Sequence, residues 1–279
     1  MEINHELVLT TKDQIQYLQF KRLLAFPEVK HAYILKSHDM NFRLGTNFRH
    51  LETVKKNLEV VCDELGIAKS SVIRPDYNHT SNVKVVDFVD NSEENPELSG
   101  KRFKDTDGLI TDKTGIAMIS TNADCNLILL YDPVKKVIGN IHAGWRGTFG
   151  KIALNAIHKM QETYGSNPED ILCFLCPSIR KCHFEVDEDV KEMCEETFHY
   201  TNRLGEIVQK GEVKEGKQKY LIDTVLINQM LLEEAGVLPE NIVDSGICSV
   251  CASGKIHSKR AEGEYFGLGL AIIEKTDEK

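Results

Sequence analysis

Hydrophobic positions along this chain switch period several times, and each switch predicts an element. Leu51, Val54, Leu58, Val61 and Leu65 recur at three- and four-residue spacing and are followed by Gly66, which predicts an amphipathic helix with a glycine cap. Ala153, Ile157, Met160 and Tyr164, closed by Gly165, predict a second helix. Val190, Met193, Cys194 and Phe198 predict a third, with Asp187, Glu188 and Asp189 at its positive end. Asp223 is a suitable N-cap for a fourth through Leu226, Met230 and Leu231, ended by Gly236. Short apolar runs predict strands over residues 32–35, 71–73, 83–89, 116–119, 127–131, 137–141, 171–175, 242–247 and 269–273. Asp132-Pro133 marks the turn between two of them. The first thirty residues are weakly patterned, with a short helix expected over 14–24. The polar stretch 91–100 (NSEENPELSG) predicts a loop too short to link domains.

Strands and helices mix without strict alternation, which favours an α+β fold with mixed-sheet layers over a doubly wound parallel sheet. No repeat of 20–50 residues and no break in composition divides the chain, so residues 1–279 are expected to form a single domain. Apolar content of 41% and charged content of 28% suit a globular chain. A net charge of −9 with no basic stripe argues against a nucleic-acid partner. The apolar runs are far short of the roughly 18 residues that span a bilayer, so no membrane partner is expected. The opening Met1-Glu-Ile-Asn-His-Glu6 lacks the layout of a signal peptide, and a cytoplasmic location is the expectation.

The eight cysteines are expected as thiols in a reducing compartment. Cys62 and Cys194 fall on helical patterns and read as core. Cys173 and Cys176 lie three apart in a strand pattern, on opposite faces, and make a poor chelate. Cys248-Ser-Val-Cys251 reads as a turn. With His183-Phe-Glu185 it is partly similar to the zinc nucleobase deaminase signature, but Ile247 stands where that signature has proline.

Candidate chemistry is densest over residues 121–148. Cys125 opens one apolar run and His142 ends the next, so paired strands would bring a thiol and an imidazole together. With His79, from the polar loop 77–82, they would make a two-histidine, one-cysteine zinc set that leaves a fourth position open. A core cysteine beside a hydrogen-bonded histidine fits the same spacing. Arg146, beside Trp145, can hold an anion such as phosphate. No dinucleotide-binding or phosphate-loop glycine motif follows a strand, and the nucleophile-elbow serine motif is absent.

The blocks Ala123-Asp-Cys125, His142-Ala-Gly-Trp-Arg-Gly147 and Pro177-Ser-Ile-Arg-Lys-Cys-His-Phe-Glu-Val186 resemble the laccase-domain (polyphenol oxidase) family, now linked to purine nucleoside phosphorylase activity. The resemblance extends to Ser245-Gly-Ile-Cys248 and His257-Ser-Lys-Arg260 and spans nearly the whole chain. It implies layered mixed β-sheets flanked by helices, and zinc held by His79, Cys125 and His142. It also implies phosphorolysis of adenosine, guanosine or inosine to base and ribose 1-phosphate, with methylthioadenosine phosphorolysis and adenosine deamination as further family activities. This chain departs from the family pattern at Tyr77-Asn78 before the first ligand, at Cys176-Pro177, at Ile256 to Arg260 and at Gly267-Leu268, which puts substrate preference at issue.

Within that reading, Arg146 and Arg260 are candidates for holding phosphate, and Asp124 or His257 for assisting departure of the base. Copper is a possible occupant of the same ligands. Three competing readings use the same residues: a thiol hydrolase or deamidase with Cys125 as nucleophile and His142 as base, a copper-dependent phenol oxidase, and a non-catalytic binding protein. The phenol oxidase reading is weakened because none of the 10 histidines forms an H-x-H pair.

Overall fold

The computed structural model describes residues 3–37, 39–43, 51–87, 93–95 and 100–277. Two large mixed sheets carry the fold. The eight-stranded sheet runs in the order Leu7–Lys12, Ile15–Phe20, Val29–Ile34, Gly269–Lys275, Ala117–Asn122, Val72–Pro75, Gly100–Phe103 and Glu93–Asn95. The six-stranded sheet runs Ile242–Asp244, Leu172–Leu175, Asn126–Asp132, Val137–Ala143, Gly108–Thr111 and Val83–Val85. A small third sheet joins Glu185–Val186, Lys217–Ile222 and Val208–Lys214.

Side-chain alternation explains the layers. Along Asn126–Asp132, Leu127, Leu129 and Tyr131 enter one core cluster while Ile128 and Leu130 enter another. Along Gly269–Lys275, Ala271 and Ile273 share the first cluster and Leu270 and Ile272 join a third. The shared cluster is the interface between the two sheets. The helices Ile152–Tyr164 and Thr224–Glu234 cover the outer face of the six-stranded sheet, and the helix Leu51–Leu65 covers that of the eight-stranded sheet. The result is an α/β/β/α order of layers. All seven residues of Asn126–Asp132 and of Val137–Ala143 are buried. At about 1.5–3 kcal/mol for each fully buried large apolar side chain, these two strands are the firmest part of the scaffold.

One polar group crosses the apolar interface. Asn140, on the six-stranded sheet, donates from Nδ2 to the carbonyls of Met118 (2.9 Å) and Ala271 (3.3 Å) on the other sheet. Its Oδ1 accepts from Ser120. A buried amide satisfied in this way sets the relative register of the sheets as well as stabilising them.

Most predicted elements are present within a few residues. Asp223 Oδ1 accepts from the Leu226 N–H at 3.0 Å, and Gly165 and Gly236 close their helices at φ of 65° and 97°. Asp132 Oδ1 accepts from the N–H groups of Val134 (2.8 Å) and Lys135 (2.9 Å), forming the expected turn. Cys62 and Cys194 are buried, and Cys173 and Cys176 point into different core clusters. Two expectations fail. Residues 14–24 are mostly strand, with a helix only over Lys21–Leu24, because Ile15, Tyr17, Leu18 and Phe20 are buried beside their neighbours in the sheet. The stretch 91–100 is not simply a loop: Glu93–Asn95 pairs antiparallel with Gly100–Phe103, while 91, 92 and 96–99 lie outside the described residues. The strand expected over 83–89 is Val83–Val85, and 88–89 also lie outside. The strand expected over 242–247 stops at Asp244. The hairpin of Val208–Lys214 and Lys217–Ile222 was not predicted; its residues are largely exposed and polar. Among the described residues no helix is long and apolar enough to cross a membrane.

His31 is buried in the strand Val29–Ile34, and its Nε2 accepts from the Phe20 N–H at 2.9 Å. Burial lowers its pKa to about 4. The unfolded chain, with an ordinary histidine near 6.5, therefore takes up the proton first, and the stability due to neutral His31 is complete above about 6.5 and lost as pH falls towards 4. Chemical denaturation of the wild type and His31→Gln should show a pH dependence over this window that is smaller in the variant by about 3 kcal/mol. Equal slopes would contradict the assignment.

Candidate metal centre and cavity

The site forms where the chain passes from one sheet to the other. The strand Ala117–Asn122 ends, residues 123–125 turn, and the strand Asn126–Asp132 begins in the second sheet. Asn122 fixes this turn by donating from Nδ2 to the carbonyls of Cys125 (2.6 Å) and Pro177 (3.0 Å). Its Oδ1 accepts from the Tyr33 hydroxyl at 2.9 Å. Asp124 takes a left-handed φ of 86° within the turn, leaving Cys125 at the mouth of its strand. The antiparallel register places Asn126 opposite Ala143 and Leu127 opposite His142, so the cysteine and the histidine lie on adjoining strands.

His79 reaches them from the loop after Val72–Pro75. Nδ1 or Nε2 of His79 and His142 and Sγ of Cys125 all lie within 4.8 Å of one another. Gly144 makes room for this approach, since a Cβ there would sit 2.4 Å from His79 Nδ1 and 3.4 Å from Cys125 Sγ.

A residue that sequence reasoning missed holds the group together. Asp107 is fully buried at the entry to Gly108–Thr111. Its Oδ1 accepts from His142 Nδ1 at 2.8 Å and from the His79 N–H at 3.2 Å. Its Oδ2 accepts from the Thr80 N–H (2.7 Å), the Thr80 hydroxyl (2.8 Å) and the Asn78 N–H (3.3 Å). One carboxylate thus shapes the His79 loop, in which His79 has a φ of 54°, and fixes the His142 ring through Nδ1, which leaves Nε2 as the ring nitrogen open to a cation.

The charges agree with that geometry. Burial works against a charged His142, but Cys125 and Asp107 outweigh it and push the group up to about 9. Burial and the neighbouring charge of His142 lower His79. Burial alone would raise Asp107, yet its hydrogen bonds from His142 and Thr80 lower it. One thiolate, two imidazoles and a buried carboxylate behind one of them form a donor set suited to a borderline cation such as zinc.

The three donors line a cavity of about 710 Å³. Asp124, Trp145, Arg146, Lys259 and Arg260 line it too, as do the rings of Tyr77, Phe184 and Phe266. The guanidinium of Arg146 stacks 4.2 Å over Trp145, and among the described residues no carboxylate pairs with Arg146 or Lys259. The other predicted residues are held by hydrogen bonds of their own. Arg260 lines the cavity, but its guanidinium donates to the carbonyls of His183 (2.8 Å) and Glu185 (3.0 Å), so it braces the wall. Asp124 accepts from the Ser249 hydroxyl (2.6 Å) and the Arg260 N–H (2.8 Å). His257 is buried behind the wall, with Nε2 3.0 Å from the Met40 carbonyl and Nδ1 3.2 Å from Glu262, and does not line the cavity. Lys259 and the aromatic walls were not anticipated, because only the fold brings them to the ligands.

Residues 34–275 match the family described as multi-copper polyphenol oxidoreductase laccase. The chain belongs to this family. Its members include proteins named for other chemistry. The Bacillus subtilis protein named purine nucleoside phosphorylase YlmD is 29% identical over 220 residues, covering 79% of this chain and 76% of the relative. A protein from an unknown prokaryotic organism, named adenosine deaminase RL5, is 32% identical over 204 residues, covering 72% of this chain and 73% of the relative. In fold, the crystal structure of the Bacillus licheniformis hypothetical protein YfiH matches with a TM-score of 0.84 at 24% identity, over 96% of this chain and 99% of that one.

If Asp107 organises the metal ligands of this family member, Asp107→Ala should weaken zinc binding by about 10- to 100-fold. Competition with a chromophoric chelator measures this directly. Affinity equal to that of the wild type would show that the ligands hold their positions without the carboxylate.

Proposed function

We propose that this protein is a zinc-dependent purine nucleoside phosphorylase that cleaves adenosine, guanosine or inosine with phosphate to the free base and ribose 1-phosphate. The observation that carries the reading is a group of three metal-type donors sharing a cavity with Arg146 and Lys259, which among the described residues have no carboxylate partner. The relatives named purine nucleoside phosphorylase support it. A purine has π-faces that the rings of Tyr77, Phe184 and Phe266 can contact, and phosphate is a dianion that guanidinium and ammonium can hold.

His79, Cys125 and His142 would hold the zinc, which supplies Lewis-acid polarisation when bound. The chain's own residues do the positioning. Arg146 and Lys259 hold phosphate so that one oxygen can approach C1′ of the ribose. The C1′–N bond breaks as that C–O bond forms, and its electron pair leaves with the base. Asp124, with both oxygens engaged, keeps Ser249 and the backbone of Arg260 in place against the cavity. The bracing of Arg260 leaves Arg146 and Lys259 as the better phosphate holders, and the burial of His257 removes it from the departing base. Methylthioadenosine phosphorolysis requires the same groups. Deamination of adenosine requires a water in place of phosphate in the same cavity, and the relative named adenosine deaminase supports that as a second activity. We place the protein in the cytoplasm, where thiols stay reduced.

One observation favours a second reading. Asp107, His142 and Cys125 form a carboxylate–imidazole–thiol chain of the kind that activates a nucleophile, so without metal the site resembles that of a thiol hydrolase. The position of His79 supports the metal reading over it, because a third donor beside the thiol is what a cation needs and a nucleophile does not.

Cys125→Ala should lose the cavity zinc and abolish turnover. Arg146→Ala should keep its zinc and raise the KM for phosphate by about tenfold or more, the loss expected for one charge-assisted contact. Steady-state kinetics with phosphate varied, together with metal analysis, checks both. Full turnover by Cys125→Ala without the cavity zinc would overturn the reading.

A further inference from the structure

A second group of soft donors lies outside the cavity. Sγ of Cys182, Cys248 and Cys251 and a ring nitrogen of His183 all lie within 4.8 Å of one another. The separations are 3.7 Å between the sulfurs of Cys182 and Cys248, and 3.6 Å from His183 Nδ1 to each sulfur of Cys248 and Cys251. The contact from His183 Nδ1 to Cys182 Sγ is shorter, at 3.1 Å. A tetrahedral zinc with Zn–S near 2.3 Å and Zn–N near 2.0–2.1 Å has S···S edges of about 3.8 Å and S···N edges of about 3.6 Å. Three of the four measured edges therefore match those of a zinc polyhedron, and all three cysteines are free thiols.

The backbone is arranged for such a site. Cys248-Ser-Val-Cys251 is a tight turn. Ser178 and Cys248 bridge the two loops, with Ser178 N–H to Ile247 O at 3.3 Å and Ser249 N–H to Ser178 O at 2.9 Å. Arg180 joins Asp244 through two bonds of 2.7 Å, a bidentate pair that holds the first loop to the strand beside the second. Cys182 and Cys251 are exposed, so a cation can load from solution.

We propose that Cys182, His183, Cys248 and Cys251 form a second, closed zinc site that clamps the loop 177–186 to the loop 245–256. Four protein donors leave no open position, so its role is structural, in contrast to the three-donor site in the cavity. The clamped loops carry cavity residues: Ile179 and Phe184 line the wall, Arg260 is braced on His183 and Glu185, and Ser249 anchors Asp124. The second zinc therefore keeps the substrate wall in shape without touching the reacting atoms. Three thiolates make the site soft enough to favour zinc over magnesium or calcium.

Metal analysis by plasma mass spectrometry on full-length protein, purified without oxygen and exposed only to zinc, tests this. Wild type should carry about two zinc ions per chain, Cys251→Ser about one, His79→Ala/His142→Ala about one, and the combined variant close to none. Failure at the cavity site alone would show as one zinc in wild type that survives His79→Ala/His142→Ala and is lost in Cys251→Ser. The inference is overturned by one zinc in wild type that persists in Cys251→Ser. Should Cys251→Ser fail to fold, alkylation of the native wild type gives an independent readout. Cys182 and Cys251 should resist iodoacetamide when zinc is loaded and react once a chelator has removed it. Equal labelling in both states, or a Cys182–Cys248 disulfide in place of metal, would overturn the inference.

Discussion

The carboxylate of Asp107 is the constraint on which the centre depends. It is fully buried, yet it accepts hydrogen bonds from five donors spread over the 78–80 loop and His142. A buried charge so satisfied is tolerable; with any of its partners removed it becomes costly. The carboxylate therefore commits the loop to a single shape, with His79 turned towards Cys125. It also holds His142 through Nδ1, with Nε2 as the remaining ring nitrogen. The sheets provide the frame: two strands buried on both faces hold the backbone of Cys125 and His142 side by side.

A related division of labour runs through the rest of the cavity. Groups that could have done chemistry are engaged in holding structure, as with Arg260 on the His183 and Glu185 carbonyls and His257 between Met40 and Glu262. Arg146 and Lys259, which among the described residues have no carboxylate partner, stand on the cavity wall beside aromatic rings. On this account the donors of the loops 177–186 and 245–256 have the same kind of task, fixing the wall rather than acting on substrate.

Much of this was legible in the sequence, and the reasons for the remainder are physical. Strands such as Asn126–Asp132 were plain because both faces are apolar, and helix ends were plain where Asp223 or Gly165 leaves a local chemical mark. The strand Ile15–Phe20 was mistaken for helix because its partly buried glutamines interrupt the apolar alternation. Cys125 and His142 were legible because they stand at the ends of two adjacent apolar runs, and His79 because it lies in a polar loop between strands. Asp107 was not, because Thr106-Asp107-Gly108 looks like any polar turn and only the fold shows that its carboxylate is dry. Cys248 and Cys251 displayed their spacing, but Cys182 and His183 join them only through the Ser178–Cys248 bridge, which no local pattern announces.

The most direct test of the central claim is product analysis by chromatography on zinc-loaded protein incubated with adenosine, with and without phosphate. The account predicts adenine and ribose 1-phosphate in equal amounts, formed only when phosphate is present. Adenosine left intact under both conditions, or consumed at the same rate with no ribose 1-phosphate formed, would contradict it.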